Sequence, residues 1–370
     1  MKQNALFISN YKYIDISFNE GGVRYCTLEF INLLRLKFNL LYFPIEVKKT
    51  LFYRLKVRLG LNVYEDYDPG GYSKQIKDLI EKNNIRYIYL NMSNTILFAK
   101  EIKKIFGTKV LIVICSHGND SGDFLHKVTR FHPRNTFLFN AFSSYLLGRM
   151  IKIESLNRIL YVDMVLSISE IENAIEKWIG APKSIFLPRI LNNEFLEWSP
   201  VLGRIGFLGD LSHPPNFYGI EAFCLELSKL SNTNITLRII GGPSEIGLKL
   251  KEKYPFIFYC GYLTNDEMQF EVSSWAIFLN PVFYYSRGAS TKLAKGLNWG
   301  LPVISTEQGN RGYSLQSNSL LNAFSPSHMV ELCLKTAFDK NRLTELSNTS
   351  KEIVHNSKDN IQYLNKLLDF

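Results

Sequence analysis

The chain has 370 residues, of which 46% are hydrophobic and 21% charged, and these fractions are typical of a folded globular protein. Its five cysteines occur singly, without the spacing of a zinc site, so we expect a reducing, cytosolic compartment. No apolar run is long enough to predict a membrane span, and the first residues lack the pattern of a signal peptide.

The positive charge is concentrated in the first half of the chain. Residues 1–200 contain 27 Lys and Arg against 19 Asp and Glu, whereas residues 201–370 contain 16 against 15. Such an excess favours an anionic partner for the first half, namely a lipid surface, phosphate or nucleic acid.

Strand-like and helix-like segments alternate from the start. The first strand is predicted at NALFISN, and a helix follows Gly21 and Gly22. Helices such as YSKQIKDLIEKN separate further strands, which are predicted from Arg86, Lys109, Asp163 and Ser184. This alternation predicts a parallel sheet with helices on both faces.

The same pattern restarts at RIGFLGD, where a strand again runs into a glycine turn. NITLRIIGG, PFIFYCG, WAIFLNP and LPVIST follow as strands. The predicted fold class is therefore α/β with two Rossmann-like domains. The polar segment 192–203 marks the boundary, so we expect domains at 1–198 and 199–350. A final helix at 351–370 is expected to cross back to the first domain.

The stretch RGASTKLAKGLNWGLPVIST, residues 287–306, predicts a short helix between a loop and a buried strand. Ser290 and Thr291 are good N-cap residues, and Gly300 is suited to the position after the helix end. One interpretation is simple capping of a core helix.

The other interpretation of this stretch is phosphate binding. Gly288 permits close approach of a ligand to the backbone, and the free N–H groups at a helix start attract anions. Lys292 and Lys295 lie on one face near this positive end, where cations are unfavourable unless an anion offsets them.

A series of segments in the second half resembles one family in order. These segments are RIGFLGDLSHPPNFYGIEAF, NITLRIIGGPSE, FIFYCGYLTNDEMQFEVSSWAIFLNPVFY and GASTKLAKGLNWGLPVISTEQGNRGY. They resemble the GT-B fold glycosyltransferases, specifically the bacterial group 1 (family 4-like) sugar transferases. NEGGVRYCTLEFINLL, VICSHGN, YVDMVLSISE and SIFLPRILNNEFL resemble the first half of that family more weakly.

The resemblance implies metal-independent, hexosyl-type transfer from a nucleoside-diphosphate sugar, with two domains facing each other across a cleft. It implies donor contacts for Gly21, Gly22, Gly209, Asn216, Gly242, Arg287, Gly288, Ser290, Thr291, Lys292 and Lys295. His117 would contact the transferred sugar. Backbone N–H groups, Lys and Arg can stabilise the departing diphosphate, so neither a metal nor another cofactor is expected.

One departure from the family concerns two glutamates separated by seven residues, the second of which grips the ribose hydroxyls. Alignment on Lys292 and Gly300 places Arg287 and Lys295 at these positions. A lysine cannot accept a hydrogen bond from ribose. Either the ribose is held differently, the donor is unusual, or activity has been lost.

The segment EVKKTLFYRLKVRLGLNVYE, residues 46–65, carries five cations among apolar residues. The cations are Lys48, Lys49, Arg54, Lys56 and Arg58. Such a segment is typical of a membrane interface, the alternative being a solvated helix or loop. The family resemblance favours an anionic membrane surface and a glycan or undecaprenyl-linked acceptor. The implied role is synthesis of a bacterial surface polysaccharide, such as capsule or O-antigen, at the inner face of the plasma membrane.

Other functions stay open at this point. A nucleotide-sugar epimerase shares the fold, but no convincing pair of acid and base carboxylates is found. A non-catalytic partner of another transferase would explain Arg287 and Lys295. Nucleic acid is not expected, because no RNA-binding motif with stacking aromatics is found. The pair Asp66 and Asp68 imitates a metal-binding DxD motif, but it precedes Pro-Gly-Gly and indicates a turn.

Overall fold

The computed structural model describes residues 2–15, 22–131, 136–231, 233–313, 315 and 320–357. Contacts divide the chain into two compact units. The first contains the described residues up to Leu187 together with Arg287–Ala289, and the second contains Pro188–Ser286 and the described residues from Ser290 onwards. The domain limits derived above stay predictions.

The first unit alternates strands and helices. The strands are β1 (Gln3–Asn10), β2 (Phe38–Ile45), β3 (Tyr87–Asn91), β4 (Leu111–Ser116), β5 (Met164–Ser167) and β6 (Ser184–Phe186). The helices are α1 (Tyr11–Ile14), α2 (Gly22–Arg35), α3 (Leu51–Arg58), α4 (Pro69–Lys82), α5 (Leu97–Phe106), α6 (Asp120–His126), α7 (Phe137–Tyr161) and α8 (Glu170–Trp178).

The strands of the first unit form a parallel sheet in the order β2-β1-β3-β4-β5-β6. The run Ala5–Ile8 of β1 is fully buried, as expected for a strand covered on both faces. Leu6 and Ile8 belong to a core with Ile88 and Ile112 of the neighbouring strands. The strand order reverses between β1 and β3, and ligands of such sheets bind outside the carboxyl ends of the strands at this switch point.

The second unit repeats the design. Its strands are β7 (Val201–Leu208), β8 (Thr236–Ile240), β9 (Ile257–Gly261), β10 (Trp275–Leu279), β11 (Val303–Ser305) and β12 (Leu321–Asn322). Its helices are α9 (Pro214–Ser228), α10 (Ser244–Lys253), α11 (Asn265–Ser273), α12 (Thr291–Asn298), α13 (Pro326–Thr336) and α14 (Lys340–Ser357).

The second sheet is also parallel, in the order β12-β11-β10-β7-β8-β9. Counted within the unit, this is the Rossmann order 3-2-1-4-5-6 read from its other edge. The switch point lies between β7 and β10, so the segments that follow Leu208 and Leu279 border the expected ligand position. The predicted α/β class with two Rossmann-like domains is confirmed.

The C-terminal prediction is only partly covered by the structure. Residues 351–357 continue α14, and residues 358–370 lie outside the described part of the chain. Within the described ranges, no helix is both long and apolar enough to cross a membrane.

Candidate functional site

The short helix predicted within residues 287–306 is α12. Both of its ends have ordinary capping geometry. Ser290 is the N-cap, and its side chain accepts a hydrogen bond from the backbone N–H of Leu293. Gly300 follows the helix with φ of +69°, a conformation that favours glycine. The capping interpretation therefore holds, and phosphate binding depends on what surrounds the helix start.

The start of α12 is fixed to the carboxyl edge of the second sheet by buried polar groups. Asn280, directly after β10, accepts a hydrogen bond from the Ser290 hydroxyl at 3.4 Å and donates to the Ser305 hydroxyl at 3.0 Å. The Tyr313 hydroxyl donates to the Ser290 carbonyl at 2.6 Å. These contacts place the first turn of α12 beside the switch point. Sequence analysis missed Asn280 and Tyr313, because their role depends on strand order.

Lys292 is the central cation of this edge. Its Nζ donates to Oδ1 of Asn216 at 2.6 Å, and Asn216 in turn donates from Nδ2 to the Asp210 carbonyl at 2.7 Å. A Cβ on Gly209 would come within 3.0 Å of Lys292 Cδ and 3.2 Å of Asn216 Nδ2. Three predicted donor residues, Gly209, Asn216 and Lys292, are thus in direct contact.

The electrostatic state of Lys292 is unusual. Burial, together with the nearby charge of Arg311, lowers the pKa of its amine to about 7. Among the described residues, Lys292 has the Asn216 amide oxygen as partner and no carboxylate. A lysine whose positive charge has no carboxylate as partner among the described residues is suited to binding an external anion. The charge of the anion would raise the pKa of the amine toward its ordinary value.

A second set of glycines continues this edge toward β8 and β9. Gly241 has φ of +121°, and a Cβ there would meet the Gly209 carbonyl oxygen at 2.2 Å. A Cβ on Gly242 would meet the Tyr262 ring and hydroxyl at 2.2–2.3 Å. The exposed Tyr262 ring therefore lies against bare backbone at Gly242, one of the predicted donor residues. Sequence analysis missed Tyr262, because nothing in the sequence pairs it with Gly242.

Lys295, one turn beyond Lys292, is engaged elsewhere. Its Nζ lies 3.9 Å from a carboxylate oxygen of Glu194 and 5.4 Å from the centre of the Trp299 ring. The structure thus brings Ser290, Thr291 and Lys292 together at the helix start and turns the Lys295 amine toward other protein groups.

Arg287 and Gly288 belong to the first unit. Arg287 forms an ion pair with Asp120 and lies 3.8 Å from Asp123. Gly288 has φ of +70°, and its N–H donates to Glu172 at 3.2 Å. The close approach that Gly288 permits is that of the His117 carbonyl, which a Cβ would meet at 2.6 Å.

His117 follows β4 in the first unit and is 9% exposed. Its Nε2 lies 2.8 Å from Oδ1 of Asn91, at the end of β3. Because the Asn91 amide nitrogen donates to Ser9 and Thr27, Oδ1 faces the imidazole as an acceptor, and Nε2 carries the proton. Asn91 is a residue that sequence analysis missed. Gly22 begins α2, and Gly21 lies outside the described residues.

The loop that follows His117 rests on buried carboxylates. Glu172 accepts from the N–H of Asn119 at 2.6 Å, and Glu154 accepts from the Ser121 hydroxyl at 2.6 Å. Beside them, the fully buried Arg158 and Glu176 form an ion pair. This cluster fixes the shape of the 117–121 loop.

Four of the five cations predicted for a membrane surface lie on helix α3 or next to it, and their side chains are exposed or half-exposed. They are Lys48, Lys49, Arg54 and Arg58. The fifth, Lys56, is half-buried and paired with Glu65, and Lys49 is paired with Glu46. Of the eight residues of α3, only Tyr53 is buried.

A family model matches part of the second unit. Residues 203–335 match the family model described as "Glycosyl transferases group 1". This match covers the second unit from β7 to α13 and confirms the resemblance predicted for that half. It supports glycosyl transfer as the class of activity. Among curated proteins, none matches the sequence significantly.

Solved structures share the whole fold. Sucrose-phosphate synthase from Thermosynechococcus elongatus is 14% identical, with a TM-score of 0.69 over 99% of this chain and 98% of that one. Anabaena HepE, in complex with UDP and glucose, is 12% identical, with a TM-score of 0.65 over 99% and 98%. The lipopolysaccharide outer core galactosyltransferase WaaB is 12% identical, with a TM-score of 0.58 over 98% and 99%. At these identities the likeness establishes the GT-B fold.

Proposed function

We propose that this protein is a glycosyltransferase that takes a sugar from a nucleoside-diphosphate donor. The observation that carries the proposal is Lys292. Its amine sits at the first turn of α12, at the switch point of a Rossmann-like sheet, with a pKa lowered to about 7 and an amide oxygen as its partner. A diphosphate at this position would receive the lysine charge and the N–H groups of the helix start together.

The order of residues along the carboxyl edge of the second sheet suits a donor nucleotide. Lys292, Gly209, the Gly241–Gly242 turn and Tyr262 follow one another across the carboxyl ends of β7, β8 and β9. With adjacent strands about 4.8 Å apart, β7 and β9 are separated by about 10 Å. We propose that the diphosphate lies at Lys292 and Gly209, and that the base stacks on the exposed face of Tyr262.

The chemistry required of these groups is charge stabilisation. The bond between the anomeric carbon and the diphosphate oxygen breaks, the acceptor oxygen bonds to that carbon, and the acceptor proton is lost. Negative charge therefore grows on the departing diphosphate, where Lys292 and backbone N–H groups stabilise it without a metal or other cofactor. The contact of His117 with the transferred sugar stays a prediction.

The ribose must be held without the glutamates of the family pattern. Arg287 and Lys295 stand at those two positions, and both are paired with carboxylates of this chain, Asp120 and Glu194. We propose that ribose recognition falls to backbone groups of the Gly241–Gly242 turn rather than to a side chain of α12.

The acceptor proposal follows from the basic segment 46–65. We propose a lipid-linked glycan, undecaprenyl-linked in bacterial surface polysaccharide synthesis, reached from the inner face of the plasma membrane. The exposed cations and apolar residues of α3 support this proposal, because such helices bind anionic lipid surfaces. Binding to anionic vesicles should fall with salt and with neutralisation of Lys48, Lys49 and Arg54, since each basic residue contributes about 1 kcal/mol.

The direct test is a thermal-shift screen of nucleotides and nucleotide sugars, because a ligand that binds the folded state raises the melting temperature. We expect nucleoside diphosphates to stabilise the protein and the variant Lys292→Ala to abolish this effect. Hydrolysis or transfer of the selected nucleotide sugar should follow. If no nucleotide or nucleotide sugar binds, the proposal is wrong.

A non-catalytic partner of another transferase is the second candidate. It is favoured by the ion pairs of Arg287 and Lys295, which occupy both positions of the family glutamates with internally paired cations. This candidate predicts nucleotide binding without hydrolysis or transfer by the pure protein. Turnover by the pure protein would exclude it, and so would epimerisation of the donor without acceptor, which would indicate an epimerase.

A further inference from the structure

Helix α3 turns its apolar side away from the protein. Successive helix residues are rotated by about 100°, so Leu51, Phe52, Leu55 and Leu59 fall within an arc of about 100°. All four are exposed, Leu51 by 82%. Tyr53, the buried anchor on the opposite side, donates from its hydroxyl to Asp66 at 2.7 Å.

Cations flank this apolar arc on both sides. By the same rotation, Arg54 and Arg58 lie beside one edge of the arc and Lys56 beside the other. An ordinary surface helix directs its apolar stripe into the core and its charges toward solvent. On α3 the apolar stripe and the charges both face outward, so core packing does not explain the stripe.

Helix α7 repeats this arrangement over a length of about 38 Å. Its exposed apolar residues include Leu138, Phe142, Tyr145, Leu156 and Ile159. These five residues fall within an arc of about 100°. The opposite side holds the buried residues Ser143, Leu146, Glu154, Asn157 and Arg158. Arg149 and Lys152 lie within the exposed arc, between its two apolar ends.

The two outward stripes are connected through one carboxylate. Arg149, inside the α7 stripe, donates to Glu65 at 2.9 Å, and Lys56, at the edge of the α3 stripe, pairs with the same carboxylate. Both stripes therefore border the same pair of salt bridges around Glu65, within the first unit. We call the eleven residues Leu51, Phe52, Leu55, Leu59, Leu138, Phe142, Tyr145, Arg149, Lys152, Leu156 and Ile159 the α3–α7 face.

We propose that the α3–α7 face docks flat onto an anionic lipid bilayer, with its apolar side chains in the interface and its cations among the headgroups. The proposal rests on the proposed function and extends its membrane contact from segment 46–65 to a second helix. Exposed apolar patches bordered by polar residues mark interaction sites.

A bilayer suits this face better than a second copy of the chain. Two copies meeting on it would bring Arg149 and Lys152 within the face, and Arg54 and Arg58 beside it, near the same cations of the other copy, which costs stability. An anionic bilayer offers a flat plane of negative headgroups above an apolar layer, and both helices present cations beside apolar side chains.

The test is co-sedimentation of the full chain with vesicles of phosphatidylcholine alone or mixed with phosphatidylglycerol. The double variant Phe142→Ser, Tyr145→Ser should bind the mixed vesicles about tenfold more weakly, because two buried aromatic contacts are lost. The matched control is Phe270→Ser on α11 of the second unit, where Phe270 is 83% exposed and outside the face. Its vesicle binding should equal that of the unaltered protein.

The variant Lys152→Glu tests the role of charge, and Lys251→Glu on α10 is its control. Only Lys152→Glu should weaken binding to the mixed vesicles. Unchanged binding by the double aromatic variant would overturn the role of α7. Equal binding of the unaltered protein to both vesicle types, or to neither, would overturn the anionic bilayer. Conversion of a dimer to a monomer by the double variant would assign the face to a second copy. Nucleotide binding, measured in parallel, tests the proposed function separately, because the α3–α7 face belongs to the first unit and Lys292 to the second.

Discussion

Arg158 in the first unit is fully buried and Lys292 in the second is partly buried, and the protein treats their charges differently. Burial works against the charge of Arg158, yet the carboxylate of Glu176 outweighs it and raises the pKa of the guanidinium. Burial likewise works against Lys292, the nearby charge of Arg311 adds to this effect, and the pKa falls to about 7. Its hydrogen-bond partner is the amide oxygen of Asn216.

The difference separates a structural cation from a binding cation. A buried charge compensated by its own carboxylate is part of the folded core, and breaking the pair is costly. A positive charge that is largely uncompensated at the edge of a sheet attracts an anion. The charge of Arg158 is thus satisfied within the first unit, and we propose that the charge of Lys292 in the second unit is available to a ligand.

The largest expected effect comes from a variant that breaks the ion pair of Arg158 and Glu176. Glu176→Gln should lower the free energy of unfolding by about 3–5 kcal/mol, because the buried Arg158 loses the carboxylate with which it is paired. Urea denaturation would measure the loss. The double variant Arg158→Met, Glu176→Met should recover much of it, since apolar replacement of a buried pair is often tolerated. A loss of less than about 1 kcal/mol in the single variant would mean that the pair is not structural.

The second prediction concerns Lys292→Met, which keeps the apolar stem against Gly209. Affinity for a nucleoside diphosphate should fall about 100-fold, because a charge-assisted contact is removed. The free energy of unfolding should not fall, since an unfavourable buried charge is removed as well. Calorimetry and urea denaturation would show the two effects, with the exposed Lys251→Met as control. Unchanged nucleotide affinity would refute the site.

A smaller effect is expected for Gly209→Ala. The new Cβ would lie 3.0 Å from Lys292 Cδ and 3.1 Å from the Phe207 ring, so the lysine must shift. We expect nucleotide affinity to fall about fivefold, a change of about 1 kcal/mol. Gly148→Ala on α7 is the matched control, because no atom lies within 4 Å of its Cβ position. Equal affinities of both variants would show that Gly209 does not shape the site.

The alternation of segments was enough to predict two parallel sheets, but two strands escaped it. β2 follows α2 after the two residues Leu36 and Lys37 and contains Pro44, which disfavours a strand assignment. The structure places β2 at the sheet edge, where a proline is tolerated. β12 has two residues, Leu321 and Asn322, and is too short for a periodic signal.

The site was predictable where one segment carries the chemistry, as with Ser290 and Lys292. It was not predictable where two distant segments meet, as with Gly242 and Tyr262. The α7 stripe shows a related limit. Apolar residues at helical spacing look the same in sequence whether they face the core or solvent, and only the packed fold shows that Phe142 and Tyr145 face outward.

The central claim also fixes the sign of the pH dependence. The pKa of Lys292 is about 7 in the folded protein and about 10.4 in an unfolded chain. Between these values the unfolded state binds more protons, so the contribution of Lys292 to the free energy of unfolding rises with pH in this window. Nucleotide affinity should change in the opposite direction and fall as pH rises above about 7, because the anion binds the protonated amine.

The most direct measurement is therefore proton uptake on nucleotide binding, obtained by calorimetry at about pH 8.5 in buffers of different ionisation enthalpy. The account predicts uptake of nearly one proton by the unaltered protein. It predicts none by Lys292→Arg, whose guanidinium is charged throughout. Binding of the nucleotide by the unaltered protein without proton uptake would contradict the claim that Lys292 is the cation reserved for the diphosphate.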